Sequence, residues 1–174
     1  SDVTRIWPVN GTFTPAQAAL HEFIVAYRDA LFRHIKPDVT SDQVLDRAAA
    51  DMKEYLVGKT FASPAHLKAV QEGIVFRGHF QHPVGMAVHD VGRVRGVPLK
   101  PGMVFTIDPM IWLPEERLYI RIEDVALVTA DGVENLSGFV PARIADVQRT
   151  IAEPGLVQLH KPVPAPTGPG GQRR

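Results

Sequence analysis

The sequence predicts an α+β fold in which helices come first and antiparallel strands follow. Three observations carry that expectation. Capped, amphipathic helix patterns recur between Thr14 and Val70. After about Gly73, β-rich runs bounded by Pro-Gly and Asp-Gly turns take over. No β-α-β alternation and no internal repeat interrupts that order, so a parallel crossover sheet is not expected.

Residues 3–7 read as a weak strand, and Asn10-Gly11 supplies a turn after it. The first helix starts at Thr14 as N-cap, with Pro15 in the first helical position and Gln17 completing a capping box. Leu20, Phe23, Ile24, Tyr27 and Leu31 then form one apolar face. That helix should end near His34, because Lys36 precedes Pro37 and is pushed out of the α region. Thr40 and Gln43 open a second helix carrying Val44, Leu45, Ala48, Ala49, Met52, Tyr55 and Leu56. A third, short one starts at Ser63-Pro64 and carries Leu67 and Val70. Met103–Ile107 and Leu118–Val128 read as strands, and Pro141–Glu153 as a final helix. One domain over residues 1–156 is expected. The tail over 157–174, rich in proline and glycine, is too poor in apolar residues to pack and is expected to be disordered.

Composition narrows the function classes. Lys plus Arg (19) equals Asp plus Glu (19), so no basic surplus attracts nucleic acid or an anionic membrane. No apolar run approaches the roughly 20 residues of a membrane span. The opening Ser1-Asp2-Val3-Thr4-Arg5 is no signal peptide, and a cytoplasmic location is the expectation. On that expectation the sequons at Asn10 and Asn135 are chance matches. With no cysteine, disulfides, thiolate nucleophiles and thiolate ligands are excluded.

Three segments place ionisable groups inside apolar sequence: Asp2, His79 to Asp90, and Asp108 to Asp124. A buried carboxylate needs a cation, a set of hydrogen bonds or a raised pKa. For Glu123 the plainest reading is a cross-strand salt bridge to an arginine. His82 and His89, with the scattered carboxylates, suit a divalent ion such as Zn, Mn or Co, although no single spacing proves one.

Four segments in order resemble the pita-bread metallopeptidases of the Xaa-Pro aminopeptidase and prolidase kind. His82-Pro83-Val84-Gly85-Met86-Ala87-Val88-His89-Asp90 is similar to their His-x-x-Gly-x-x-x-His-Asp signature. Pro101-Gly102-Met103, running on to Asp108-Pro109, is similar to their strand ending in Glu-Pro. Arg121-Ile122-Glu123-Asp124 resembles their Arg-x-Glu-Asp strand, and Ser1-Asp2-Val3-Thr4-Arg5 the stretch around their second aspartate ligand. The resemblance implies a pita-bread catalytic domain, incomplete at its N-terminus, with two divalent ions, Mn first and Zn or Co as alternatives. Asp2 and Glu123 would bridge them, and His82 and Asp108 would each bind one. His89 would contact substrate, Arg121 would orient carboxylates, and His79 would either face substrate or cap a turn. Implied activity is hydrolysis of the Xaa-Pro bond at peptide N-termini by a metal-activated hydroxide, with Asp108 shuttling the proton. Alternatives are a prolidase acting on dipeptides, a metal-free binding module, and a metal-free hydrolase of the creatinase type. A homodimer is implied by the resemblance.

The sequence also departs from the family pattern. The first aspartate ligand lies upstream of Asp2, so a companion N-terminal chain or segment is expected to carry it. Asp108 stands where the family has glutamate, one methylene longer. Gly78 replaces a histidine, with His79 one position later. Trp112 occupies a position where the family often has tyrosine, and core packing is its expected role. Glu115, Glu116 and Arg117 are expected at a solvated hairpin tip.

Overall fold

Thr14 caps the first helix, α1 (Pro15–His34), through a reciprocal box in which the Thr14 N–H donates to Gln17 Oε1 at 2.9 Å. Its face of Leu20, Phe23, Ile24, Tyr27 and Leu31 is wholly buried, as the periodicity predicts. The chain leaves the helix at Ile35, which is extended, just ahead of Lys36 and Pro37. Thr40 and Gln43 repeat the same box at the start of α2 (Ser41–Tyr55). Ser63 then caps α3 (Pro64–Val75). The inward face of α3 is His66, Ala69, Val70, Gly73 and Ile74, so of the two apolar residues expected on this helix Val70 is buried and Leu67 is turned outward. The computed structural model describes residues 2–159.

Six short strands follow: β1 (Phe80–Pro83), β2 (Val104–Ile107), β3 (Met110–Leu113), β4 (Leu118–Arg121), β5 (Asp124–Val128) and β6 (Val133–Asn135). One antiparallel sheet has the order β1-β2-β5-β6, and β3 pairs with β4 in a separate ribbon. The run Leu118–Val128 is therefore two strands in two sheets rather than one. The break has a local cause. Ile107 pairs with Asp124 and Met110 pairs with Arg121, leaving Asp108-Pro109 opposite Ile122-Glu123 at a bend. Pro109 has no N–H to continue the ladder, and the Glu123 N–H turns to Thr4 O at 3.2 Å instead. The strand expected at residues 3–7 reduces to that single bridge, Thr4 to Glu123.

The core lies where α1 packs on α2 and on β4, and α3 packs on β3. Tyr27 is fully buried and its hydroxyl donates to Ile74 O at 3.1 Å, tying α1 to α3. Across β1 and β2, Phe80 stacks on Phe105 with ring centroids 5.4 Å apart. The last expected helix is shorter than Pro141–Glu153, running as α4 (Ile144–Ile151), with Val147 buried. A single turn, α5 (Leu156–Leu159), follows where the tail was expected to begin; the disorder expected of the remainder, 160–174, lies outside the described residues. Among the described residues no helix is long and apolar enough to cross a membrane.

Candidate metal centre

The bend between the two sheets is what assembles the site. It sets Asp108, at the end of β2, beside Glu123, between β4 and β5, and Arg121 bridges the two carboxylates. The Arg121 guanidinium lies 3.0 Å from Glu123 Oε2 and 3.5 Å from Asp108 Oδ2. Glu123 thus meets an arginine two residues earlier in the chain, at the end of β4, rather than one across the sheet. Both carboxylates are about 99% buried. The Thr4 hydroxyl donates to Glu123 Oε2 at 2.6 Å and accepts from Arg121 Nη2 at 2.9 Å.

The segment around residues 2–5 is pinned by a second buried cluster that sequence reasoning missed. Asp124 is fully buried and accepts from Arg5 Nη2 at 2.6 Å, Arg28 Nη1 at 3.4 Å and Ser137 Oγ at 2.5 Å. Arg5 Nη1 also donates to Thr4 O at 2.9 Å and to Glu123 O at 2.8 Å. Arg5 therefore fastens the backbone that carries Asp2 to the backbone that carries Glu123. The available signal was the Ser-Asp-x-Thr-Arg stretch itself, in which Thr4 and Arg5 have assignable partners only once the fold is known.

The histidines arrive from a loop. His82 ends β1, and the chain after it turns at Gly85, where a Cβ would collide with the Asp90 carboxylate. Asp90 accepts from the N–H groups of Ala87 and Val91, at 3.3 and 2.7 Å, and those bonds hold its carboxyl below the usual range. The glycine and aspartate of the His-x-x-Gly-x-x-x-His-Asp pattern thereby fold the loop back. His89 returns over His82, the rings stacked 3.9 Å apart. His82 Nε2 lies 3.1 Å from Asp2 Oδ2.

Asp2, His82 and His89 each present one ligand atom, all within 4.8 Å of one another. Asp108 and Glu123 lie outside that trio, but the Asp2 and Glu123 charges both bear on Asp108. Burial first, then the Glu123 charge, push the Asp108 carboxyl up to about 8, with Arg121 opposing. Its buried Oδ1 makes no hydrogen bond of good geometry, with the Thr106 hydroxyl a near group that also draws the pKa down. Two buried carboxylates thus share the Arg121 guanidinium, since Arg5 is committed to Asp124, and the partly exposed Asp2 lies against His82. Carboxylates crowded until one of them keeps its proton, beside a pair of imidazoles, fit hard divalent cations held by oxygen and nitrogen, which would take that proton's place.

Two expected residues sit elsewhere. His79 is fully buried, its Nε2 facing Gly73 O at 2.7 Å and its Nδ1 facing Asp108 O at 3.4 Å. Burial holds its imidazole below the usual histidine range. It touches the backbone of the Asp108 residue, and none of its surface is exposed. Trp112 is not core: it is 45% exposed and stacks on Tyr119 with centroids 5.4 Å apart. Glu115, Glu116 and Arg117 are exposed at the ribbon tip, although Glu116 also bonds His66 at 2.9 Å.

The profile of metallopeptidase family M24 matches residues 1–130. Human Xaa-Pro aminopeptidase 3 is 32% identical over 170 residues, covering 88% of this chain and 32% of that protein. Xaa-Pro aminopeptidase 2 of Streptomyces coelicolor is also 32% identical, covering 87% of this chain and 36% of its own length. Among solved structures, proline aminopeptidase P II from Yersinia pestis superposes with a TM-score of 0.67 at 33% identity, over 87% of this chain and 38% of that one. Zinc-substituted Escherichia coli aminopeptidase P in complex with product gives 0.65 at 28% identity, over 86% of this chain and 37% of that one. This chain spans about a third of the length of the relatives it matches. With the pita-bread α+β architecture and the ordered motifs at its bend, the chain belongs to metallopeptidase family M24.

Proposed function

We propose that this protein is a metal-dependent exopeptidase that hydrolyses the Xaa-Pro bond at peptide N-termini. The observation that carries the reading is the convergence of Asp2, His82 and His89 within ligating distance, next to the buried Asp108–Arg121–Glu123 group. Asp2, His82, Asp108 and Glu123 would hold two divalent ions, and the carboxylate-rich donor set favours manganese over zinc or cobalt. When bound, those ions supply Lewis acidity to the scissile carbonyl and lower the pKa of water. Asp108 Oδ1, without a hydrogen bond of good geometry, is placed to carry a proton to the leaving nitrogen. Arg121 and Thr4 fix the orientation of Glu123, and His89, on the exposed side of His82, is placed to meet the substrate. A homodimer and a companion segment carrying the remaining aspartate belong to the same reading and rest on family resemblance, whereas the cytoplasmic location rests on composition.

The relatives named as Xaa-Pro aminopeptidases support peptides of three or more residues over the dipeptides of a prolidase. A non-catalytic binding module is the second reading, favoured by Asp108 standing where the family has glutamate. Native mass spectrometry of the manganese-loaded protein, followed by cleavage assays on Ala-Pro-Xaa peptides, separates them. Two bound ions with release of free alanine support the peptidase. Peptide binding with no cleavage in the loaded protein moves the binding module ahead.

A further inference from the structure

The ribbon β3-β4 has one face in the core and one outside it. Ile111, Leu113 and Ile120 are buried on the inner face. On the outer face Met110 pairs with Arg121 and, one rung further from the bend, Trp112 pairs with Tyr119. Trp112 and Tyr119 are 45% and 40% exposed. Their rings lie nearly parallel, 23° apart. Phe76 braces the indole edge-on at 5.4 Å. The Tyr119 hydroxyl leans back over Met110, reaching its Sδ at 3.6 Å. An exposed aromatic surface thus continues directly from the guanidinium that holds Asp108 and Glu123.

We infer that the Trp112–Tyr119 pair is a specificity platform for the side chain of the third residue of the peptide, with preference for an aromatic one. The inference rests on the exopeptidase reading. An exopeptidase that releases one N-terminal residue has its remaining substrate only on the leaving side, so a subsite beyond the scissile bond serves the second or third residue. In an extended peptide alternate side chains share a face about 7 Å apart. With the first carbonyl at Asp108 and Glu123, the second residue lies opposite Arg121. The third side chain then points the same way as the first, displaced along the ribbon toward the aromatic rung. The chemistry matches: two flat, half-exposed rings gain most from a third flat ring, in offset or edge-on contact.

The test compares Ala-Pro-Phe with Ala-Pro-Gly on the manganese-loaded full chain. Aromatic contact of this kind corresponds to roughly three- to tenfold in selectivity, so kcat/KM should favour the Phe peptide by that factor. Tyr119→Ala should bring the ratio close to one, whereas Tyr119→Phe, which keeps the ring, should retain it. A second readout needs no turnover. In a Trp7→Phe background Trp112 is the sole indole, and its fluorescence should shift on titration with Ala-Pro-Phe at lower concentrations than with Ala-Pro-Gly. Cleavage of both peptides at equal kcat/KM, or indole fluorescence indifferent to the third residue, overturns the platform while leaving the exopeptidase standing. Failure to cleave either peptide sinks the exopeptidase, and the fluorescence titration then decides the platform by itself.

Discussion

Asp124 is the residue whose loss should be felt furthest from where it occurs. It is fully buried, and its two oxygens face Arg5 at 2.6 Å and Arg28 at 3.4 Å. Asp124→Asn keeps the volume and the Ser137 contact but leaves the Arg5 guanidinium without its counter-charge, while Arg28 keeps Asp29 at 2.8 Å. The Arg5 side chain is only 7% exposed, so water cannot replace what is removed. Breaking a buried pair in this way costs about 3–5 kcal/mol, and retention of one amide oxygen argues for about 3. For a domain of this size that is a melting point roughly 6–12 °C lower. The assay is urea and thermal unfolding followed by circular dichroism, run as a double-mutant cycle with Arg5→Met. A loss under about 1 kcal/mol, or additive effects of the two substitutions, would refute the view that this pair fastens residues 2–5 to the strand behind Glu123.

Further predictions follow the same contacts. Thr4→Val removes the hydroxyl between Arg121 and Glu123 without replacing a proposed ligand, and should weaken manganese binding roughly 10–100-fold; calorimetric titration reads it. In metal-free protein the Asp108 carboxyl, raised to about 8, lies above its unfolded value, so the native state holds the extra proton. Stability should then fall as pH rises from about 4 to about 8, by up to about 1.4 kcal/mol per unit. Asp108→Asn should flatten that slope and raise the melting point at pH 8; an unchanged slope would count against the burial argument. Gly73→Ala adds a Cβ 2.8 Å from Ile111 Cγ2, where α3 meets β3. Overpacking of about 1–3 kcal/mol should outweigh the gain of about 1 kcal/mol in helix propensity, and a higher melting point for the variant would show that Ile111 yields freely.

The α+β order, the three leading helices and both capping boxes were legible because their causes act within one turn of chain. Thr14 and Gln17, or Thr40 and Gln43, are three residues apart, and nothing distant is needed to read them. Phase was harder. Leu67 looks apolar and so inward, yet the spacing of Ala69, Val70, Gly73 and Ile74 puts His66 on the buried side, where it reaches Glu116 of the ribbon tip. The motifs named Asp2, His82, His89, Asp108 and Glu123 one segment at a time, without saying how the segments meet.

That meeting was decided by tertiary structure alone. Periodicity reads Leu118–Val128 as one strand, because no residue within it forbids continuation. What breaks it is Pro109 on the facing segment and Thr4, whose hydroxyl bonds Glu123 across 119 positions. Asp124 looked like another carboxylate next to Glu123 until Arg5, also 119 positions away, turned out to occupy it. Trp112 and His79 exchanged expected places for a related reason: burial depends on what packs over a residue, not on its own apolarity. Local sequence fixes backbone geometry through short-range sterics and hydrogen bonds. Which charges face each other, and which oxygen is left over for a cation, depends on contacts between segments that no local pattern encodes.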